Sequence, residues 1–577
     1  MKMKKNIFVI VALAVGMVSC NFLDHEPDMR ATINTKEKVQ LLLVSAYTQA
    51  NSAPICEYSS DQVIDNNVPD PKTGQANAVI PLDEMYNEIF AWKPVKSSGS
   101  QDSPKYLWDG HYTAIATANQ ALKAIEKLEA EGINMNAEKG EALLSRAYHH
   151  FLLAGVFCQA WKDEVASKKD LGIVYMLEPE TKVAPQYVRG SLYDTYMAIE
   201  KDIEEGLKLV SDEYYSVPRY HFNVKAAHAF AARFYLYKRD WAKVVEHADH
   251  VLSTTDETTL SLLYDAQTGR DQSNIELAFN HYIDVKAPSN LLLHTTMSSS
   301  AYAHFPAYGR YQHNGDAQNF STYGSGPCWS GNFPGFGIWS ADQKLGGFCA
   351  KDYYMFEYTD KVNGYGYIHG VTRAFTTNET LLCRAEAKAY LNDLEGSAND
   401  FRLWCQGYNV GGRMQMLKDS TVDLSPEKIT KFYTEKAGTK FAPVLHNQDM
   451  SSGWVISAEQ LPFVHCALHF RRIEGLHDGL RWHDIKRYGI EIEHLQGKDP
   501  ARVLVWNDDR RAIQLPQEVI MAGMTANPRE ILGDKVDGNQ AVTGGDYDPS
   551  DFYTPTEPSY SSAASRPTGT ITLIDKD

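Results

Sequence analysis

The feature that most constrains this chain is a recurring helix in which an aromatic-Leu pair follows small residues by one turn. It occurs as Phe151-Leu152 after Ala147, Tyr235-Leu236 after Ala231 and Ala232, and Tyr390-Leu391 after Ala387. A large ring facing a small residue one turn away lets helices interlock in tetratricopeptide-type pairs, and each of these helices is followed by a second helical stretch carrying alanines. The pairs lie 84 and then 155 residues apart, so the units are interrupted by insertions rather than stacked as a plain solenoid. Three- and four-residue periodicity predicts helices over about 36–50, with Thr35 as cap, and over 106–131, 137–157, 191–210, 224–237 and 241–252. The chain is therefore mainly α.

The largest interruption, 282–377, shows no sustained helical period and is rich in glycine and rings. A helix-free insertion of this length in a compact protein is usually functional, and its ring content argues against disorder. A second irregular stretch, 54–104, carries Asp61, Asp65, Asn66, Asn67 and Trp92. Flat rings flanked by amides and carboxylates are what a sugar-binding platform needs, although large rings are more often core. Trp92, Trp329, Trp339 and Tyr323 are the candidate platform rings because polar residues or glycines surround them, with Asn332, Asp316 and Asp65 as polar partners. One ring covering ~40 Å² of sugar contributes only about 1 kcal/mol, so several must cooperate.

With 73 acidic against 56 basic residues the net charge is −17, which argues against a nucleic-acid partner. At 43% hydrophobic the chain can bury a large core. No H-E-x-x-H, G-x-S-x-G or Walker loop occurs, and Gly335-Phe-Gly337 and Gly364-Tyr-Gly366 lack the third glycine of a dinucleotide motif. Carboxylate pairs such as Asp508-Asp509 leave a glycosidase open, although neighbouring carboxylates in a turn are more often solvated. His149-His150 is a poor metal site, since adjacent residues on a helix point about 100° apart, and one buried and one exposed histidine is the expectation. No cofactor or metal is indicated. The odd set of seven cysteines after Cys20 contains no C-x-x-C pair; Cys158 and Cys383 fall in apolar helical patterns as inert buried thiols.

At the N-terminus Lys2, Lys4 and Lys5 precede an apolar run, Ile7 to Val18, that is too short to span a bilayer. It reads as a secretory signal. Ser19-Cys20 resembles a lipobox, which would make 1–19 the signal, Cys20 the lipidated residue and 20–34 a tether; ordinary secretion is the other reading. From 540 to 577 glycine, proline, serine and threonine dominate, as in an extended tail.

Ser457-Ala-Glu-Gln460 has capping-box spacing and opens a helix that leads into Arg471-Arg-Ile-Glu474-Gly-Leu-His-Asp478-Gly479-Leu-Arg481-Trp-His-Asp484-Ile-Lys-Arg487. The alternating charges predict an ion-pair network around a glycine turn. This run is similar to the C-terminal signature of the SusD/RagB family, with Asp478 where that family usually has Glu and His477 where it usually has an aromatic residue. Cys20-Asn-Phe-Leu-Asp24, Trp108 to Asn119, Arg146 to Leu152, Arg384-Ala-Glu-Ala387, Leu515-Pro516-Gln-Glu518 and Asn527-Pro528 resemble other family segments in the same order. The resemblance implies a SusD-like domain over 35–539, with four tetratricopeptide-like helix pairs packed against a loop-rich ligand-binding subdomain. It further implies a non-catalytic lipoprotein on the surface of the outer membrane, held by its lipid anchor, that captures a glycan and passes it to a SusC-like TonB-dependent transporter. The helical face is expected to meet the transporter. A RagB-like peptide binder, a glycan-cleaving enzyme and a pure interaction scaffold are the alternatives.

Overall fold

The computed structural model describes residues 33–533 apart from 82, 97–98, 181–184, 299–308, 331–337, 340–347, 350, 352–354 and 410–421. The chain divides into two compact units, Met1–Gly538 and Asn539–Asp577, and the described residues all fall in the first. The segment 1–19 expected to be a signal, Cys20 and the 540–577 extension lie outside the described residues.

Helices form over the periodic stretches, and two short ones also form in the 54–104 stretch expected to be irregular. The helices are α1 (Lys36–Leu43), α2 (Ala53–Ser59), α3 (Met85–Phe90), α4 (Pro104–Ala130), α5 (Asn136–Phe157), α6 (Leu192–Leu209), α7 (Val224–Lys238) and α8 (Trp241–Val251). After the large insertion come α9 (Thr377–Tyr390), α10 (Leu394–Asn409), α11 (Leu461–Glu474) and α12 (Leu480–Tyr488). Thr35 caps α1 by accepting from Lys38 N, but α1 stops at Leu43, short of the expected Ala50. Beyond it Tyr47 turns inward to donate to Glu141 Oε1 at 2.6 Å and accept from Phe222 N at 2.8 Å, bonds that a continued helix would forfeit. The capping box at Ser457 forms both of its bonds, Gln460 N to Ser457 Oγ at 3.2 Å and Ser457 N to Gln460 Oε1 at 3.0 Å.

The aromatic-Leu helices pair as expected: α5 with α6, α7 with α8, α9 with α10. Ala147, Ala231, Ala232 and Ala387 are fully buried at these contacts. Buried bidentate ion pairs clamp two of the pairs, Arg146 to Asp202 at 2.6 and 2.8 Å and Arg384 to Asp400 at 2.9 and 2.8 Å. The third aromatic-Leu pair departs from the pattern. Tyr390 stacks on Trp241 with centroids 3.9 Å apart, while Leu391 lies past the helix end and is 48% exposed.

The 282–377 insertion is not simply loop. Its ends form an antiparallel sheet in the order β2 (Asn290–Thr296), β9 (Tyr365–Thr376), β8 (Met355–Asp360). All but one residue of β2 is buried, so the strand lacks the alternation that would have revealed it. Two-residue strands complete the insertion: β3 (Tyr311–Gln312), β4 (Ser325–Gly326) with β5 (Trp329–Ser330), and β6 (Ile338–Trp339) with β7 (Phe348–Cys349). β3 pairs with β1 (Ile64–Asp65), tying the insertion to the 54–104 stretch. Near the C-terminus β10 (Ile492–His494) pairs with β11 (Arg502–Leu504).

His149 and His150 correct the expectation of one buried and one exposed ring: both are fully buried, because α5 is covered on more than one face by α4 and α6. His149 Nδ1 lies 2.9 Å from His111 Nδ1, and His150 Nε2 accepts from Met176 N at 3.0 Å. Burial pushes His149 and His313 down to about 4, and His150, His294, His469 and His483 down to about 3. In an unfolded chain these rings take up protons near 6.5. Their contribution to stability is therefore present above about 6.5 and lost as pH falls towards 4 and below. A melting-temperature series is expected to drop steeply between pH 6.5 and 4; a flat profile over that range would contradict the burial of neutral rings.

Candidate functional site

An open polar cleft of about 340 Å³ lies where α3, the start of β3 and the turn after β10 meet. Glu84, Asn87 and Glu88 come from α3 and its cap, Lys93 from just beyond it, Arg310 from the residue before β3, and Gln496, Gly497, Lys498 and Asp499 from the turn. These positions span more than 400 residues of sequence.

The cleft is built from Asp65 outward. β1–β3 pairing sets Asp65 opposite Tyr311, next to Arg310. Asp65, 1% exposed, accepts from Arg310 Nε at 3.0 Å and Nη2 at 2.8 Å, and also from Gly497 N at 2.9 Å and Asn67 N at 2.9 Å. The Asp65 hydrogen bonds outweigh partial burial and raise Arg310 further above its already high range. Arg310 Nη1 donates to Asn87 Oδ1 at 3.1 Å. Of its five N–H groups, three are thus committed among the described residues, leaving one on each Nη for the cleft. Gln496 Nε2 donates to Asn87 O at 3.2 Å and to Tyr311 Oη at 2.8 Å, and Tyr311 Oη in turn donates to Asn87 Oδ1.

Behind this polar wall stands a column of stacked rings. Tyr311 stacks on Phe90 at 4.3 Å, Phe90 on His494 at 4.1 Å and His494 on Trp92 at 4.2 Å. The ring nitrogens of His494 sit 2.7 Å from Phe90 O and 2.9 Å from Ser60 O, and Trp92 Nε1 donates to Ser59 O at 2.9 Å. The column makes the cleft rigid, and it explains why Trp92 is only 2% exposed.

The expected platform residues fall in several places. Asp65 and Trp92 reach the cleft as supports, with neither exposed to a ligand. Trp329 and Tyr323 are core, 5% and 1% exposed, and Trp329 Nε1 donates to Tyr323 O at 3.1 Å while its ring packs 5.5 Å from Phe470. Covered ring faces cannot stack on a sugar in this arrangement, so the platform expectation for these three rings is corrected: the surrounding glycines and polar residues serve close packing instead. Asp316 is exposed at the start of a short turn of helix, away from the cleft lining. Trp339 lies on β6, opposite Phe348 of β7. Asn332 lies outside the described residues. Arg310, Asn87, Gln496 and Lys498 were not anticipated, because a search for rings passes over a cleft lined by polar groups.

The lining includes the donors Arg310, Lys93 and Lys498 and the acceptors Glu84, Glu88 and Asp499. A polyhydroxylated ligand both donates and accepts at every hydroxyl, and this lining offers both. Among the described residues no cluster of three or more His, Cys, Asp or Glu is placed to hold a metal, and no helix is long and apolar enough to cross a membrane. Truncating the buried Trp329 to alanine is expected to destabilise the fold by about 3–5 kcal/mol; an unchanged chemical-denaturation midpoint for that variant would return Trp329 to the surface.

Residues 21–236 match the family model SusD-like_3, described as "Starch-binding associating with outer membrane". No curated relative matches the chain. Solved structures of similar fold include a SusD superfamily protein of Bacteroides fragilis, at 15% identity and TM-score 0.54, with 86% of this chain and 99% of that one covered. A SusD superfamily protein of Bacteroides thetaiotaomicron aligns at 17% identity and TM-score 0.51, covering 86% and 100%. A SusD-like carbohydrate binding protein of Bacteroides vulgatus aligns at 15% identity and TM-score 0.52, covering 85% and 96%.

Proposed function

We propose that this chain is a SusD-like protein, a non-catalytic lipoprotein of the outer-membrane surface that captures an oligosaccharide or polysaccharide and passes it to a SusC-like TonB-dependent transporter. The observation that carries the glycan reading is the Asp65–Arg310–Asn87 arrangement, which presents oriented donors beside carboxylate acceptors in a rigid open cleft. Preorganised groups lose little entropy when a ligand arrives, which matters for a ligand bound weakly at each sugar. Delivery to a transporter requires release as well as capture, and an open cleft serves both. The broad surface of the helix pairs is the face assigned to the transporter, and Cys20 is assigned the lipid.

Calorimetric titration against a panel of soluble oligosaccharides is expected to find saturable binding with the sugar recovered intact. Hydrogen bonds to charged groups contribute about 1.5–3 kcal/mol, so Arg310→Ala is expected to weaken that binding roughly tenfold or more while leaving the ring column in place. Binding of peptides with no sugar bound would favour the RagB-like alternative, and released product would make the protein an enzyme. For the anchor, Cys20→Ala is expected to abolish incorporation of radiolabelled fatty acid; equal labelling of the variant would remove Cys20 from that role.

A further inference from the structure

Cys328 and Cys405 bring their sulfur atoms to 3.7 Å although 77 residues separate them in sequence. Cys405 is buried on α10, and Cys328 is half-buried in the Pro327-Cys328 turn between β4 and β5. Both are free thiols.

The approach is built into the packing on both sides. Each cysteine adjoins a tryptophan, and both tryptophans pack on the same ring: Trp329 lies 5.5 Å from Phe470 of α11 and Trp404 lies 4.7 Å from it. Trp329 is further held by its hydrogen bond to Tyr323 O, and Trp404 Nε1 donates to Glu474 Oε2 at 2.9 Å. Pro327 restricts the turn, and Gly326 makes the fold-over possible, since a Cβ there would sit 2.3 Å from the Trp329 ring. The sulfurs therefore face each other across a rigid seam, and a disulfide needs them to close from 3.7 Å to about 2.05 Å.

We propose that Cys328 and Cys405 are a disulfide-forming pair, closed by exchange with a low-molecular-weight disulfide. Cys328, the sulfur that solvent can reach, attacks the external disulfide, breaks its S–S bond and releases one external thiol, which carries away the Cys328 proton. Cys405 then loses its proton and attacks Cys328 Sγ; the intramolecular S–S bond forms and the second external thiol leaves with that proton. Two protein thiols are oxidised and one external disulfide is reduced to two thiols. Burial pushes the Cys405 thiol well up, so the second step is the slower one. The product fastens the β4–β5 hairpin, and with it the ring-rich insertion, covalently to the helical body.

Full-length protein incubated with oxidised glutathione tests this by intact mass and non-reducing peptide mapping. The expected course is a transient single-glutathione adduct, then a species two hydrogens lighter than the starting protein in which the Cys328 and Cys405 peptides are joined. The melting temperature rises, and dithiothreitol reverses the change. Cys405→Ser, or Cys405→Ala where the hydroxyl disturbs the seam, stops at the mixed disulfide on Cys328. Cys328→Ser leaves Cys405 unmodified. A wild-type protein that remains a mixed disulfide, that cross-links through Cys466 or Cys349 instead, or that consumes no thiol would overturn the proposal.

Discussion

Everything in this fold is arranged around one buried, charge-balanced ion network. Glu379 and Glu386 project from α9, Arg233 from α7, Arg471 from α11, and Asp484 and Arg487 from α12, all 6% exposed or less. Arg233 meets Glu379 through two bonds of 3.0 Å, and Arg487 meets Glu386 through bonds of 2.6 and 2.7 Å. Arg471 spans the two halves, reaching Asp484 at 3.2 Å and Glu379 at 3.3 Å. Burial alone would push Glu379 and Asp484 up, but the neighbouring arginines outweigh it and hold both carboxyls below the usual range. Desolvating six charges is expensive, and a network of this kind stabilises only when each member is paired. It therefore tolerates one relative placement of the four helices it joins.

The network reaches the cleft through the turn between α11 and α12. Gly479, at φ +72°, makes that turn, and a Cβ there would come within 2.8 Å of Ala53 and Cys56 of α2. Arg472 and Arg481 flank the turn and both bind Asp61, at 3.1 and 2.9 Å. The buried Lys351 of the insertion donates to Leu476 O at 3.1 Å, to Asp478 Oδ2 at 2.8 Å and to Glu474 O. The 54–104 stretch and the insertion are thereby both anchored on one turn. Four residues beyond Asp61, Asp65 orients Arg310. Helix packing and cleft geometry are thus a single construction, in which charged pairs and the β1–β3 pairing together position the irregular segments.

The ring content of the irregular segments has a different use from the one its composition suggests. Trp92 and Trp329 carry polar edges that donate to backbone carbonyls, of Ser59 and Tyr323, and the rings of Trp92, Trp329 and Tyr323 pack against His494, Phe470 and His313. Segments with few backbone ladders need side-chain packing to stay ordered, and large rings with one polar edge supply it while satisfying buried donors.

The amino-acid order alone determined the long helices, the Thr35 cap and the Ser457 capping box, the pairing of helices through small residues and the charge pattern of the Arg471–Arg487 turn. These are local properties: periodicity, capping and spacing act within a few turns of one segment. Asp65 could be singled out as a polar residue in an irregular stretch, but its role could not. Only the tertiary structure decided that Asp65 orients Arg310 across 245 residues, that His150 is buried along with His149, and that 290–296 is a strand. It alone brought Cys328 to Cys405. The reason is physical: a side chain's exposure and partners depend on which distant surface covers it, and that is set when the buried charges find their single paired arrangement, a condition no short stretch of sequence contains.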